Sequence, residues 1–255
     1  MEAFFEIEHL SKSFGGLLAV DDVSFSVKAG EIYTIIGPNG AGKTTIFNLI
    51  SLIYPASSGT IRFRGQDLTK LTPDQVVSLG IGRTFQNIEL FAQATVLQNL
   101  LIGRHVHTPK NPLAEIFFTP AVRKREMANR RAVEKVIEFL DLASYRDATV
   151  AGLPYGVRKV VELARALCTD PKLLLLDEPS SGLNVEETDD MAYWIQDIRD
   201  ELGVTVLMVE HDMSLVSRVY DRVLALNFGK PIAEGSPAEV QAHPDVLAAY
   251  LGLAS

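Results

Sequence analysis

The sequence predicts an α/β fold on a mostly parallel sheet, with an N-terminal antiparallel β-subdomain and an inserted helical subdomain. Three observations carry that expectation. Continuous apolar runs at residues 31–36, 173–176 and 204–209 are each followed by a helical stretch, the pattern of strands covered on both faces. Around Phe5, Ile7, Val23, Phe25 and Val27, apolar and polar residues alternate instead, as in half-exposed strands. Between residues 90 and 153 the strand pattern stops, and Val133, Val136, Ile137 and Leu140 take the i, i+3, i+4, i+7 spacing of a helix with one buried face.

In chain order, the run at 31–36 enters a glycine-rich turn, and a helix is expected from about residue 42 to 53. Pro109, Asn111, Pro112 and Pro120 mark a loop within the helical stretch. The helix after it is basic, with Arg123, Lys124, Arg125, Arg130 and Arg131, and reads as a solvated face or one set against anionic lipid headgroups. Residues 223–235 suggest two small strands and 237–251 terminal helical turns. The chain is expected to be one domain: a core of residues 1–89 and 170–235, a helical subdomain of 90–169 and a helical tail of 236–255.

Composition removes several classes of function. With 24 Lys plus Arg against 32 Asp plus Glu, the net charge of -8 argues against general nucleic-acid binding. Cys168 is the single cysteine, so no internal disulfide forms and a reducing, cytosolic setting is expected. Glu2 and Glu6 stand where a signal peptide would carry positive charge, so secretion is not expected. The longest uncharged stretch, residues 44–61, is broken by Asn48, Ser51 and Pro55, which excludes a membrane span there.

The chemistry begins at Gly37-Pro38-Asn39-Gly40-Ala41-Gly42-Lys43-Thr44, a phosphate-loop pattern directly after a buried strand. Its glycines let backbone N–H groups turn toward a phosphate, and the following helix N-terminus adds a favourable dipole. Lys43 is placed to reach the β- and γ-phosphates of ATP, and Thr44 to offer its hydroxyl to Mg²⁺. The core is therefore that of a P-loop NTPase. The strand at 173–176 ends in Asp177 and Glu178, the first placed to hold Mg²⁺ and the second to polarise the attacking water. Gln86, read as the end of a short strand, could reach the metal or the water, and His211 could reach the γ-phosphate; a solvated Gln and a structural His are the simpler readings of these two on spacing alone.

The order of these motifs resembles the ATP-binding subunits of ABC transporters over essentially the whole chain. The segment Leu153-Pro154-Tyr155-Gly156-Val157 stands where that family carries its signature, and Ser180-Ser181-Gly182-Leu183-Asn184 where it carries its D-loop. Within the family the chain is most similar to branched-chain amino-acid importers, through Phe14-Gly15-Gly16, Arg83-Thr84-Phe85-Gln86, the Tyr155-Gly156 pair and the tail from Glu234. The resemblance implies nucleotide contacts at Phe14, which stacks on adenine, at Val20, along the loop through Thr45, and at Pro154, Tyr155 and Gly156 of a facing subunit. It makes Gln86 the Q-loop glutamine, a metal-side residue with Thr44 and Asp177, and His211 the switch histidine. It implies transmembrane permease subunits, a second ATP-binding subunit that is a copy or a related paralogue, an external substrate-binding protein acting indirectly, and a place on the cytoplasmic face of the membrane. The chain departs from the family's Leu-Ser-Gly-Gly-Gln signature at Pro154, Tyr155 and Val157, and Asn184 replaces the usual D-loop aspartate. Two rival functions are a soluble ABC ATPase acting on nucleic acid or ribosomes, and a nucleotide-binding module with little turnover.

Overall fold

The computed structural model describes residues 3–107, 119–211 and 220–250. The chain forms two compact units, one of Met1–Gln86 with Lys172–Ser255 and one of Asn87–Pro171.

The first unit holds two sheets. Strands β1 (Phe5–Phe14), β2 (Leu17–Val27), β4 (Ser58–Phe63) and β5 (Gln66–Asp67) form an antiparallel sheet in the order β2-β1-β4-β5. Strands β3 (Ile32–Ile36), β6 (Ile81–Arg83), β7 (Leu173–Asp177), β8 (Thr205–Glu210), β9 (Arg222–Asn227) and β10 (Lys230–Gly235) form the second, in the order β10-β9-β3-β8-β7-β6. All its pairings are parallel except the β9–β10 hairpin. Helices α1 (Lys43–Ile50), α2 (Pro73–Ser78), α6 (Val185–Asp200), α7 (Pro237–Gln241) and α8 (Pro244–Tyr250) complete the unit.

The apolar runs explain this layout. Every residue of β3, β7 and β8 is buried, as strands in the middle of a covered sheet require. Phe5, Ile7 and Phe25 from the antiparallel sheet meet Ile46, Phe47 and Ile50 of α1 in one core with Leu175 and Leu207. Burial of each such side chain contributes about 1.5–3 kcal/mol. Phe25 stacks on Tyr33 at 5.1 Å and 9°, joining the two sheets, and the Tyr33 hydroxyl donates to Glu234.

The second unit is helical, with α3 (Val96–Gly103), α4 (Pro120–Phe139) and α5 (Tyr155–Leu167). Thr95 and Gln98 form a reciprocal capping box at the start of α3. A Cβ on Gly103 would lie 2.5 Å from the Arg165 carbonyl, so glycine permits the close approach of α3 and α5. Val133, Ile137 and Leu140 are buried as the helical spacing predicts, while Val136 is half-buried.

Local geometry corrects three boundaries. Helix α1 stops at Ile50 rather than near residue 53, because Leu52 turns to φ 54° and the Ile53 and Tyr54 amides both fall back on the Asn48 carbonyl. Pro120 opens α4 instead of marking a loop, since the first helical position needs no N–H. Strand β6 ends at Arg83, so Gln86 lies beyond it: the Thr84 hydroxyl accepts from the Asp177 amide and the chain turns away. Pro109, Asn111 and Pro112 lie outside the described residues. No helix among the described residues is long and apolar enough to cross a membrane.

Candidate functional site

The parallel register sends the ends of β3, β6, β7 and β8 toward the same edge, where ligands of open α/β sheets bind. Beyond β3 the chain enters the glycine loop. Gly37 at φ 155° and Gly42 at φ 99° admit no side chain, because a Cβ would come within 2.4 Å of the Leu226 carbonyl and 2.5 Å of the Ala19 carbonyl. Ala41 N donates to Pro38 O to close the turn, and Gly229 N donates to Ala41 O to brace it from the β9–β10 turn.

Lys43 curls over this loop, its ammonium donating to the carbonyls of Gly37 at 2.7 Å and Pro38 at 3.2 Å. Burial lowers its pKa from the usual lysine range, against the pull of Glu178, Asp177 and Glu210. In front lies a cleft of about 330 Å³ lined by Ala19, Asn39, Gly40, Ala41, Gly42, Lys43, Thr44, Thr45, Gln86 and Glu178. Neither Phe14 nor Val20 lines it. The Val20 side chain is fully buried in the core, and Phe14 is 41% exposed at the end of β1, its ring set edge-on to Tyr54 at 5.4 Å under the Lys12 ammonium.

The acidic side of the cleft is assembled from three strand ends. Asp177 closes β7 and is buried. Glu178 follows at φ 50°, its amide donating to Val209 O. The Gln86 amide reaches across to donate to Glu178 Oε2 at 3.0 Å, and His211 Nδ1 stands 3.7 Å from the same oxygen. Thus Lys43, Gln86, Asp177, Glu178 and His211 converge, although they are spread over the sequence. Pro154, Tyr155 and Gly156 belong to the helical unit. There Pro154 is the N-cap of α5, its carbonyl accepting from Arg158 N, and Arg158 lies over the Tyr155 ring at 5.7 Å. Asn184 caps α6 through a capping box with Glu187, a role that asparagine performs as well as aspartate.

Two buried charged residues escaped the sequence reading. Arg83 donates to Asp177 Oδ2 at 3.1 Å, to the Phe47 carbonyl and to Ser51 Oγ, and its guanidinium lies 5.6 Å from the Phe47 ring and 5.0 Å from the Phe85 ring. Desolvation lowers its pKa, and Asp177 opposes the shift. Glu210, fully buried at the end of β8, accepts from Ser180 N, Ser180 Oγ and His211 N. Burial raises its pKa while these donors pull it down. The one signal for both was a charge at the end of an otherwise buried strand.

The donor set suits a nucleotide with Mg²⁺. Thr44, Gln86 and Asp177 are hard oxygen donors, few in number and beside a phosphate-loop cleft. That fits an ion which keeps water and takes phosphate oxygens with a few protein ligands.

Glycine loop, buried parallel strands and acidic strand ends together define a phosphate-loop nucleotide-binding fold. A profile of the ABC transporter family matches residues 20–181, and one described as a branched-chain amino acid ATP-binding cassette transporter matches residues 230–253. The chain is 41% identical to the high-affinity branched-chain amino acid transport ATP-binding protein BraF of Pseudomonas aeruginosa, over 97% of each chain. It is 38% identical to the corresponding protein LivG of Escherichia coli, over 96% of each. The crystal structure of an ATP-binding cassette of an ABC transporter in its ADP conformation superposes with a TM-score of 0.86 at 34% identity, covering 99% of this chain and all of that one. The chain belongs to the ABC transporter ATP-binding family.

Proposed function

We propose that this chain binds and hydrolyses ATP to power an importer of branched-chain or related amino acids. The observation that carries the reading is the cleft where Lys43, Thr44, Gln86 and Glu178 meet behind a glycine cradle. The likeness to BraF and LivG along nearly the whole chain supports the cargo.

In this reading Lys43 and the loop from Gly37 to Thr45 neutralise the phosphates of ATP, and Phe14 meets the adenine. Thr44, Asp177 and Gln86 would hold Mg²⁺, which when bound would neutralise charge on the phosphates. Glu178 orients the attacking water, and His211 reaches for the γ-phosphate. Pro154, Tyr155 and Gly156 of one copy face the nucleotide of a second ATP-binding subunit, identical or paralogous. ATP then favours the closed pair and hydrolysis releases it, a ligand-biased switch. Permease subunits hold the chain at the cytoplasmic face of the membrane, and an external binding protein delivers cargo to them. A low-turnover nucleotide module is the second reading, because Pro154 and Val157 place no polar side chain in the signature.

Deleting the chain from its cell and measuring uptake of labelled Leu, Ile and Val tests the cargo: uptake should fall to background, and unchanged uptake of all three overturns it. Substrate-stimulated ATPase activity in the isolated membrane complex separates the two readings, since a low-turnover module would show none.

A further inference from the structure

Glu210 is a buried carboxylate to which the reading above gives no part. Its neighbours define one. Strand β8 pairs with β3 so that Glu210 lies opposite Ile36, the last strand residue before the glycine loop, and with β7 so that Val209 lies opposite Asp177. From this position Glu210 Oε1 accepts from Ser180 Oγ at 2.8 Å and Ser180 N at 3.1 Å, while Oε2 accepts from His211 N at 3.3 Å. All three partners are donors, the set that suits a charged carboxylate.

Ser180 belongs to the turn that carries Glu178: Glu178 sits in the left-handed region, and the Ser181 amide donates back to its carbonyl at 3.1 Å. Holding Ser180 therefore holds the turn behind Glu178, and holding the His211 amide fixes the base of the imidazole. Those two side chains stand 3.7 Å apart in front of the clamp. We propose that Glu210 is a positioning residue for hydrolysis, its carboxylate tying the Ser180 turn to the His211 backbone so that one buried group sets the spacing of Glu178 and His211. The inference rests on the proposed roles of those two residues.

The test uses the full chain with MgATP and compares Glu210→Gln, Ser180→Ala and the double variant, with Glu178→Gln and His211→Ala as references. Glutamine keeps the shape of Glu210 but meets the His211 or Ser180 donors with an amide NH₂ on one side. The expected result for Glu210→Gln is a kcat lowered about tenfold with KM for ATP within about twofold. Ser180→Ala should lower kcat by about threefold, and the double variant should fall no further than Glu210→Gln alone, since both remove the same link. A merely structural role would lower the melting temperature and nucleotide affinity together and leave the kcat losses multiplicative. Wild-type kcat in Glu210→Gln, or multiplicative losses in the double variant, overturns the proposal. Should Glu210→Gln not fold, Ser180→Ala alone decides, by whether kcat falls at unchanged KM. If Glu178→Gln and His211→Ala both lose turnover while Glu210→Gln keeps it, the clamp alone is wrong; if those two references hydrolyse normally, the roles beneath it are wrong as well.

Discussion

Arg83 and Arg104 are both buried arginines, with side chains 8% and 11% exposed, and their surroundings separate the core from the helical unit. Arg83 donates from one arm of its guanidinium to Asp177, a residue of the candidate site, and from the other to the end of α1. Arg104 donates to Asn129 Oδ1, to the Cys168 carbonyl and to Asp170, joining three parts of the helical unit. The core thus places charge where a ligand's charge has to be met, whereas the helical unit uses charge to hold its shape. Removing a buried charge should cost activity as well as stability in the first region and stability alone in the second.

The largest expected effect is at Arg83. Arg83→Met leaves Asp177 buried without its arginine, which should cost about 3 kcal/mol of stability. It should also slow ATP turnover in the molecules that remain folded. Denaturant melts and ATPase assays on the same preparation check both, and a stability loss with wild-type turnover would erase the distinction between the regions. Arg104→Met should cost about 2 kcal/mol by orphaning the Cys168 carbonyl and the Asn129 amide oxygen. Its ATPase activity well below the melting temperature should match wild type, and an activity loss without a stability loss would break the comparison from the other side.

The smallest effect near neutral pH concerns Cys168 of the helical unit. Burial pushes its thiol from 9.0 up to about 12. The thiol is protonated in both states at low pH, so it adds no pH dependence there. As pH rises through 9 the unfolded chain ionises first, and stability should decline by at most about 1.4 kcal/mol per pH unit. Cys168→Ala should remove that part of the alkaline slope, and an unchanged slope would show that the thiol is not the group responsible.

Much of this arrangement was legible because it is written locally. The runs at β3, β7 and β8 are buried along their full length, and the loop's glycines sit where the backbone needs them. The acidic end of β7 was legible for the same reason, as an interruption in an apolar run. Arg83 and Glu210 were missed because their meaning is non-local: register brings Arg83 opposite Leu175, two residues before Asp177, and Glu210 beside the strand that feeds the loop. The end of α1 depended on the left-handed turn at Leu52, which no periodicity announces. The resemblance put a nucleotide contact at Val20, yet the strand's alternation turns Val20 into the core and leaves Ala19 at the cleft.

The central claim is that the acidic strand ends organise hydrolysis of a nucleotide held by the glycine loop, and one measurement addresses it directly: single-turnover hydrolysis of MgATP bound to Glu178→Gln. The variant should bind ATP as tightly as wild type and retain it intact, with hydrolysis slowed at least about a hundredfold. Hydrolysis of the bound ATP at the wild-type rate would contradict the account.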